Sequence, residues 1–281
     1  CGRGRWLVEL LSRYGTIGSH GGWAHNWFAK KLAAGEFTDA QITDLVQRND
    51  RCLERVTGKP VLSYAAPVGV HPQPLMTHIL HAVGISSYYY TGDTGAPPNR
   101  TFVDGKMVSK SVWAYPIMPD REVASIDEMS LAGVTPTKMD VWLLQTIRYL
   151  RTEHTATLIY SHPYDLLVLP YAVAYERFVD EVQREIEDKR LQAMTMPQFT
   201  AFSQRFIETT FSFKRSTTGW NLIVQNPKGL AEITIAVPDW LRIASGRRPD
   251  SLRPAGTPPN YTFFAITKNV KRIDIPLIQR S

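Results

Sequence analysis

The chain has 281 residues, of which 43% are hydrophobic and 21% are charged, so it can bury a sizeable core and form more than one domain. No run of about 18 apolar residues occurs, so no transmembrane segment is predicted. The formal charge of +6 is uneven, because residues 205–281 carry 12 Lys/Arg and 5 Asp/Glu whereas residues 1–204 carry 20 and 21.

The first predicted elements lead to a pair of histidines. A helix is predicted over residues 6–14 and a short buried strand over residues 16–19, directly followed by His20 and His25. Two imidazoles in one tight turn can converge on a metal ion, although a catalytic metal generally has three protein ligands. The alternative is that one of the two histidines only packs or hydrogen-bonds within the turn.

Helices and strands then alternate along the chain. Thr38 followed by Gln41 predicts a capping box, with a helix continuing to about residue 56. The further predicted elements are a strand over 61–64, a helix over 73–82, a strand over 85–90, a helix over 137–151, a strand over 155–161 and a helix over 173–191. This alternation favours a parallel sheet with helical crossovers, which closes into a barrel.

Candidate functional residues follow the predicted strands. His20 and His25 follow the first strand, Pro67 and Gly69 lie in a loop after the second, Asp93 follows the third and His162 follows the last. Because chemistry in such barrels gathers at the carboxyl ends of the strands, we expect these residues to meet at one face.

The hydrophobic period changes to two after about residue 205. Strands are predicted over 220–225, 230–237, 261–267 and 273–278, with a long loop over 242–260. The sequence therefore predicts two domains, residues 1–204 and a small antiparallel β domain over residues 205–281. The basic residues of the second part belong to no nucleic-acid module, so they are expected to be solvated and no nucleic-acid partner is predicted.

Four segments in order resemble the polysaccharide deacetylases of carbohydrate esterase family four, which have the NodB-type fold. The segments are residues 16–25 with the two histidines, residues 63–69 with Pro67 and Gly69, residues 157–162 ending in His162, and residues 194–202. The resemblance covers about residues 6–204 and implies a distorted (β/α) barrel.

The sequence departs from the family pattern in three places. The two histidines are five residues apart where the family usually has four, and the Pro loop lacks the usual arginine. The family's Asp-Asp motif, which supplies a general base and a third metal ligand, does not occur anywhere in the chain. We therefore expect a fragment that lacks the first barrel strands and exposes a sheet edge and an apolar patch; the alternative is a natural pseudoenzyme.

The resemblance implies roles for particular residues. His20 and His25 would bind a divalent metal, zinc, and His162 would act as a general acid in the release of acetyl groups from an acetylated glycan. Asp93 is a candidate partner of His162, or else an ordinary turn residue. Trp23, Tyr90 and Trp113, with Pro67 and Gly69, are candidates for substrate binding, although each aromatic ring could equally belong to the core.

Two other functions remain open. A carbohydrate-binding protein without hydrolytic activity fits the missing Asp-Asp pair and the missing arginine as well as truncation does. A metal-dependent hydrolase of another amide is also compatible, since a fold alone does not name a substrate.

Overall fold

A computed structural model describes residues 4–22, 24–121, 123–167, 169–246, 248–257 and 259–280. The chain divides into two compact units, with the boundary between Thr200 and Ala201. The predicted assignment of residues 1–204 to a deacetylase-like domain stays a prediction. Trp23 lies outside the described residues.

The first unit alternates helices with short strands. Its helices are α1 (Arg5–Leu11), α2 (His25–Ala33), α3 (Asp39–Thr57), α4 (Leu75–Val83), α5 (Ile126–Leu131), α6 (Pro136–Glu153), α7 (Leu169–Glu187) and α8 (Met196–Glu208), the last of which continues into the second unit. Its strands are β1 (Ser63–Ala65), β2 (Ser87–Thr91), β3 (Asn99–Arg100), β4 (Phe102–Val103), β5 (Lys106–Met107) and β6 (Trp113–Ile117).

A small, mainly parallel sheet organises this unit. Strands β1, β2 and β6 are parallel neighbours, and β3 pairs antiparallel with the start of β6. Single parallel bridges extend this arc at both sides, from Ser19 to Tyr64 and from Ile117 to Leu158, and a further bridge joins Tyr160 to Ser125. The described strands form an open arc, and no closed barrel is present among them.

The predicted strand over residues 155–161 is reduced to bridges at Leu158 and Tyr160. Conversely, the pattern missed β6, which is fully buried and lies between β2 and the bridge at Leu158. Pro116 explains this failure, because a proline within a run argues against a central strand. At the β1 edge of the arc, Ser19 pairs with Tyr64 of β1. No described residue pairs with the other side of the segment that contains Ser19.

The apolar residues of the first unit form two cores. One core joins α2, α3 and α4 to the sheet and includes Phe28, Ile42, Tyr64, Met76 and Leu80. The other joins α5, α6 and α7 and is built around Met129, Met139 and Leu143. By contrast, α1 has no buried residue and exposes Trp6, Leu7, Leu10 and Leu11.

The capping box predicted at Thr38 and Gln41 is confirmed. The Thr38 hydroxyl accepts a hydrogen bond from the Gln41 backbone N–H, and the Gln41 side chain accepts one from the Thr38 N–H at 2.8 Å. Helix α3 ends at Gly58, whose φ of 67° is a left-handed conformation that glycine adopts without strain. The predicted helix over residues 38–56 thus corresponds closely to α3.

The second unit contains two antiparallel sheets. Its strands are β7 (Thr210–Ser216), β8 (Gly219–Gln225), β9 (Thr234–Pro238), β10 (Leu241–Ile243), β11 (Leu252–Gly256), β12 (Tyr261–Ile266) and β13 (Arg272–Gln279). The strand orders are β10-β13-β8-β7 and β11-β12-β9. Both sheets contribute to one core that includes Leu222, Val237, Leu252, Ile266 and Ile275, which gives a sandwich-like packing.

The predicted long loop over residues 242–260 is wrong in part, because β11 lies within it and β10 overlaps its start. The Pro and Gly content of this segment hid both strands: Pro254 marks a register shift in the pairing of β11 with β12. None of the described helices is long and apolar enough to cross a membrane.

Candidate active site

A cleft of about 1050 Å³ lies beside the carboxyl ends of β1, β2 and β6. Its lining includes four histidines, His20, His25, His71 and His162, and five tyrosines, Tyr88, Tyr89, Tyr90, Tyr160 and Tyr164. The charged residues Arg100 and Glu128 also line it. Of the strand-end residues expected to meet at one face, His20, His25, Gly69 and His162 line this cleft, whereas Pro67 and Asp93 are not among its described lining residues.

His20 and His25 face one another at one side of this cleft. Their ring centroids are 4.7 Å apart with an interplanar angle of 49°. His20 follows the residue that pairs with β1, and His25 is the first residue of α2. The missed helix α2 therefore turns the chain directly after the loop and holds the second imidazole beside the first.

The loop between the two histidines depends on close packing. A Cβ added at Gly21, where φ is +74°, would lie 2.4 Å from Pro67 Cγ, and one added at Gly22 would lie 2.7 Å from Leu45 Cβ. The ring of Phe28 lies 3.1 Å from both positions. Pro67 thus supports the histidine loop, and glycine is required there both for its conformation and for the space.

Hydrogen bonds fix the orientation of both imidazoles. His20 Nδ1 donates to the Ala65 carbonyl at 3.0 Å, and His25 Nδ1 donates to Asn26 Oδ1 at 2.7 Å. Burial lowers the pKa of His20, and the neighbouring His25 and His162 lower it further, while the bond to Ala65 opposes the change. Because a neutral imidazole that donates through Nδ1 keeps a lone pair on Nε2, each ring offers one donor atom to a ligand.

The described residues contain no cluster of three or more His, Cys, Asp or Glu side chains that could hold a metal ion. His20 and His25 therefore form a two-histidine arrangement in the described part of the chain.

His162 is held by residues close to it in sequence. Its Nε2 is 2.7 Å from the Tyr160 hydroxyl, and its ring stacks on Tyr164 with centroids 4.7 Å apart. Asp165 Oδ2 accepts the His162 backbone N–H at 2.6 Å, and Oδ1 lies 3.7 Å from His162 Nδ1. Neither of these last two atoms has a hydrogen-bond partner among the described residues, so a small rotation would join them.

The remaining predicted residues have different surroundings. Asp93 lies in an exposed turn, where its carbonyl accepts the Ala96 N–H, and it is not among the described residues that line the cleft. Gly69 and Tyr90 line the cleft. Trp113 is 7% exposed and is buried beneath Arg100, so it lies in the core instead of on the cleft wall.

Three residues near the cleft escaped the sequence interpretation. Asp165 lies three positions after His162, and a carboxylate at that spacing was an available signal. His71 precedes a proline in a loop and gave no signal, yet its ring stacks on Tyr88 with centroids 4.2 Å apart. Burial lowers the pKa of His71 to about 4, so this ring is neutral at physiological pH. Arg100 lies on the two-residue strand β3, which no periodic pattern could reveal.

Asp50 is a buried carboxyl group behind the first histidine. It lies on α3, is 7% exposed, and has one oxygen, Oδ1, without a hydrogen-bond partner among the described residues. Burial raises its pKa to about 6, and a hydrogen bond with Ser19 only partly opposes this. The folded state therefore holds this carboxyl group protonated up to about pH 6, well above the usual range of an aspartate.

This burial makes stability depend on pH. The folded protein keeps the Asp50 proton up to about pH 6, whereas the unfolded chain releases it near the ordinary value of 3.8. As the pH rises from about 4 to above 6, the free energy of unfolding should decrease by on the order of 2–3 kcal/mol. The Asp50→Asn variant should not show this decrease. Urea unfolding at pH 4 and pH 7 measures it. An equal fall in the variant would contradict the assignment, and Asp44→Asn, at a side chain 47% exposed on the same helix, is the control.

Comparison with solved structures finds a similar fold in a protein of known structure. A crystal structure of a candidate polysaccharide deacetylase from Mycobacterium smegmatis superposes with a TM-score of 0.50 and 17% sequence identity, covering 71% of this chain and 67% of the other. At this identity the similarity concerns the fold. No protein-family model and no curated protein matches the sequence.

Proposed function

We propose that this protein is a glycan deacetylase, a hydrolase that releases acyl groups from a polysaccharide or oligosaccharide. The observation that carries the proposal is the meeting of His20, His25 and His162 at one cleft, from segments far apart in the sequence. The similarity in fold to a protein described as a candidate polysaccharide deacetylase supports the same class. The reaction is hydrolysis of an amide or an ester of acetate.

The aromatic residues of the cleft suit a sugar ligand. Tyr90, Phe102 and Tyr164 line it with 40%, 48% and 50% of their surfaces exposed. Exposed ring faces pack against the C–H faces of sugars, while hydroxyl groups such as that of Tyr160 hydrogen-bond to the sugar oxygens. This mixture of flat apolar surface and polar tips favours a carbohydrate over a purely apolar ligand.

The donor chemistry of His20 and His25 fits a divalent metal in part. Both present Nε2 and bond through Nδ1, the arrangement that orients histidine ligands in metal sites. A third protein ligand is missing from the described residues, so the site is incomplete for a catalytic zinc. Zinc bound by the two histidines would supply Lewis-acid polarisation of the acyl carbonyl.

His162 is the proton carrier of the proposal. Its Nε2 faces the Tyr160 hydroxyl at 2.7 Å, and its Nδ1 faces the Asp165 carboxylate. In a hydrolysis the attacking water loses a proton and the leaving amine or alcohol gains one, and an imidazole at the cleft wall can take up the first proton at Nε2 and deliver it to the leaving group. Asp165 acts as a positioning residue, because it bonds the His162 backbone and can stabilise the charged imidazole.

The first test measures metal and acetate together. The proposal requires the wild-type protein, purified with added zinc, to retain the metal and to release acetate from an acetylated oligosaccharide, with the third ligand supplied by a group that is not among the described residues. His20→Ala and His25→Ala should each lose both properties, because two ligands cannot be reduced to one without a large loss of affinity. His78→Ala, at an exposed histidine on α4, is the matched control.

A glycan-binding protein without hydrolytic activity is the second candidate. The observation in its favour is the absence of a third ligand beside His20 and His25 in the described part of the chain. Wild-type protein that binds the oligosaccharide but neither retains zinc nor releases acetate would support this candidate and overturn the deacetylase proposal.

A further inference from the structure

Arg100 places an unneutralised positive charge on the wall of the cleft. Its side chain is half-buried, and no described carboxylate forms an ion pair with it. Nη1 lies 3.5 Å from the Met107 sulfur, which is a weak acceptor. Most of the hydrogen-bonding capacity of this guanidinium is therefore available to a ligand.

The sheet holds Arg100 in a fixed place. Strand β3 pairs with β6 so that Arg100 lies opposite Trp113, and the guanidinium carbon is 5.9 Å from the centre of that ring. The Arg100 backbone N–H donates to Asn99 Oδ1 at 2.8 Å. A guanidinium that is already positioned on an aromatic face loses less conformational freedom on binding a ligand.

Glu128, the carboxylate that lines the same cleft, is engaged elsewhere. Its Oε2 accepts the backbone N–H groups of Ala124 at 2.7 Å and Ser125 at 3.1 Å, as part of the cap of α5. It forms no ion pair among the described residues. The charge of Arg100 is therefore not balanced by this carboxylate, and a ligand with its own negative charge would balance it.

We propose that Arg100 binds a carboxylate of the glycan, so that the substrate class is an acidic polysaccharide containing uronic acid residues. Two parallel N–H donors of a guanidinium match the two oxygens of a carboxylate, and this pairing is stronger than a neutral hydrogen bond. The identification of a glycan as the ligand rests on the proposed function.

The experiment compares two sugar oligomers of equal length that differ in charge. Isothermal titration calorimetry on the full chain measures binding of an unacylated galacturonic acid oligomer and of the same oligomer with its carboxylates methyl-esterified, which is neutral. We expect the wild type to bind the acidic oligomer about tenfold or more tightly than the neutral one. Arg100→Gln should lose that preference, while its affinity for the neutral oligomer should stay the same. Arg100→Lys should fall between the two, since it keeps the charge but not the planar pair of donors.

Arg148→Gln is the matched control, because it removes one exposed arginine on α6 that does not line the cleft, and it should keep the preference. If Arg100→Gln does not fold, Arg100→Lys decides the question. A preference that survives in the Arg100 variant, or equal binding of both oligomers by the wild type, would overturn the inference.

The calorimetric result is independent of hydrolysis. Binding of the acidic oligomer that depends on Arg100, in a protein that releases no acetate, would support this inference and count against the deacetylase proposal. Equal binding of both oligomers by a wild-type protein that releases acetate from a neutral acetylated glycan would overturn the inference and leave the deacetylase proposal intact.

Discussion

Replacement of His162 by asparagine should lower the rate of acetate release by about 10²–10⁴-fold, the usual contribution of a positioned general acid or base. Asparagine keeps a polar group of similar size near the backbone but cannot take up a proton and deliver it to the leaving amine or alcohol. The Michaelis constant should change little, because His162 acts on the leaving group and contributes little to binding. Initial rates with an acetylated oligosaccharide measure both parameters.

Asp165→Asn should produce a smaller loss than His162→Asn, because this carboxylate acts through His162. The decrease should appear in kcat, and the pH dependence of the rate should change. A purely structural defect would leave the pH dependence of the rate unchanged. His78→Asn makes the same chemical change as the His162 variant at an exposed position of α4, and should keep the full rate. Unchanged rates in His162→Asn would remove His162 from the mechanism.

Replacement of Phe28 by alanine should lower the free energy of unfolding of the first unit by about 3–5 kcal/mol, the range for deleting a buried aromatic ring. Phe28 is 1% exposed and packs in the core shared by α2, α3 and the sheet. Its ring also lies under Gly21 and Gly22, so a cavity at this point would loosen the loop that carries the two histidines. Urea unfolding monitored by fluorescence gives the change.

Trp27→Ala is the matched control for Phe28. Trp27 is the preceding residue of α2, is 43% exposed, and makes an edge contact with Phe37 at 5.3 Å between ring centroids. Its removal should cost about 1 kcal/mol, because most of its surface is already in contact with water. Equal losses in the two variants would mean that Phe28 is not a main support of this core.

Local signals in the sequence predicted local structure well. The Thr38 capping box and Gly58 mark the ends of α3 because their hydrogen bonds and backbone angles involve residues only a few positions away. The alternation of helices and strands also predicted a parallel sheet. Whether such a sheet closes depends on pairing between strands far apart in sequence, and for this reason the pattern could not distinguish a closed barrel from the open arc that is observed.

The candidate site shows the same limit. His20, His25 and His162 could be predicted from the sequence because each follows a predicted strand. Residues at the carboxyl ends of parallel strands are expected to lie at one face of the sheet. Arg100 and His71 gave no such signal, since their positions in the cleft depend on the pairing of β3 with β6 and on stacking against Tyr88. Trp113 was expected at the cleft because of its residue type. Its actual position depends on β6, in which successive side chains point to opposite faces of the sheet. Pro116 concealed this strand in the sequence.

The order of the paired strands differs between the two units, and this difference affects how fast each sheet folds. In the second unit, β7 and β8 are joined by a short turn and pair from Ser216↔Gly219 onward, so their contacts close a very small loop. In the first unit, β1 must meet β2 across α4, and β6 must meet the segment at Leu158 across α5 and α6. Closing large loops before any pairing is gained slows folding, so the hairpin should form well before the parallel sheet does.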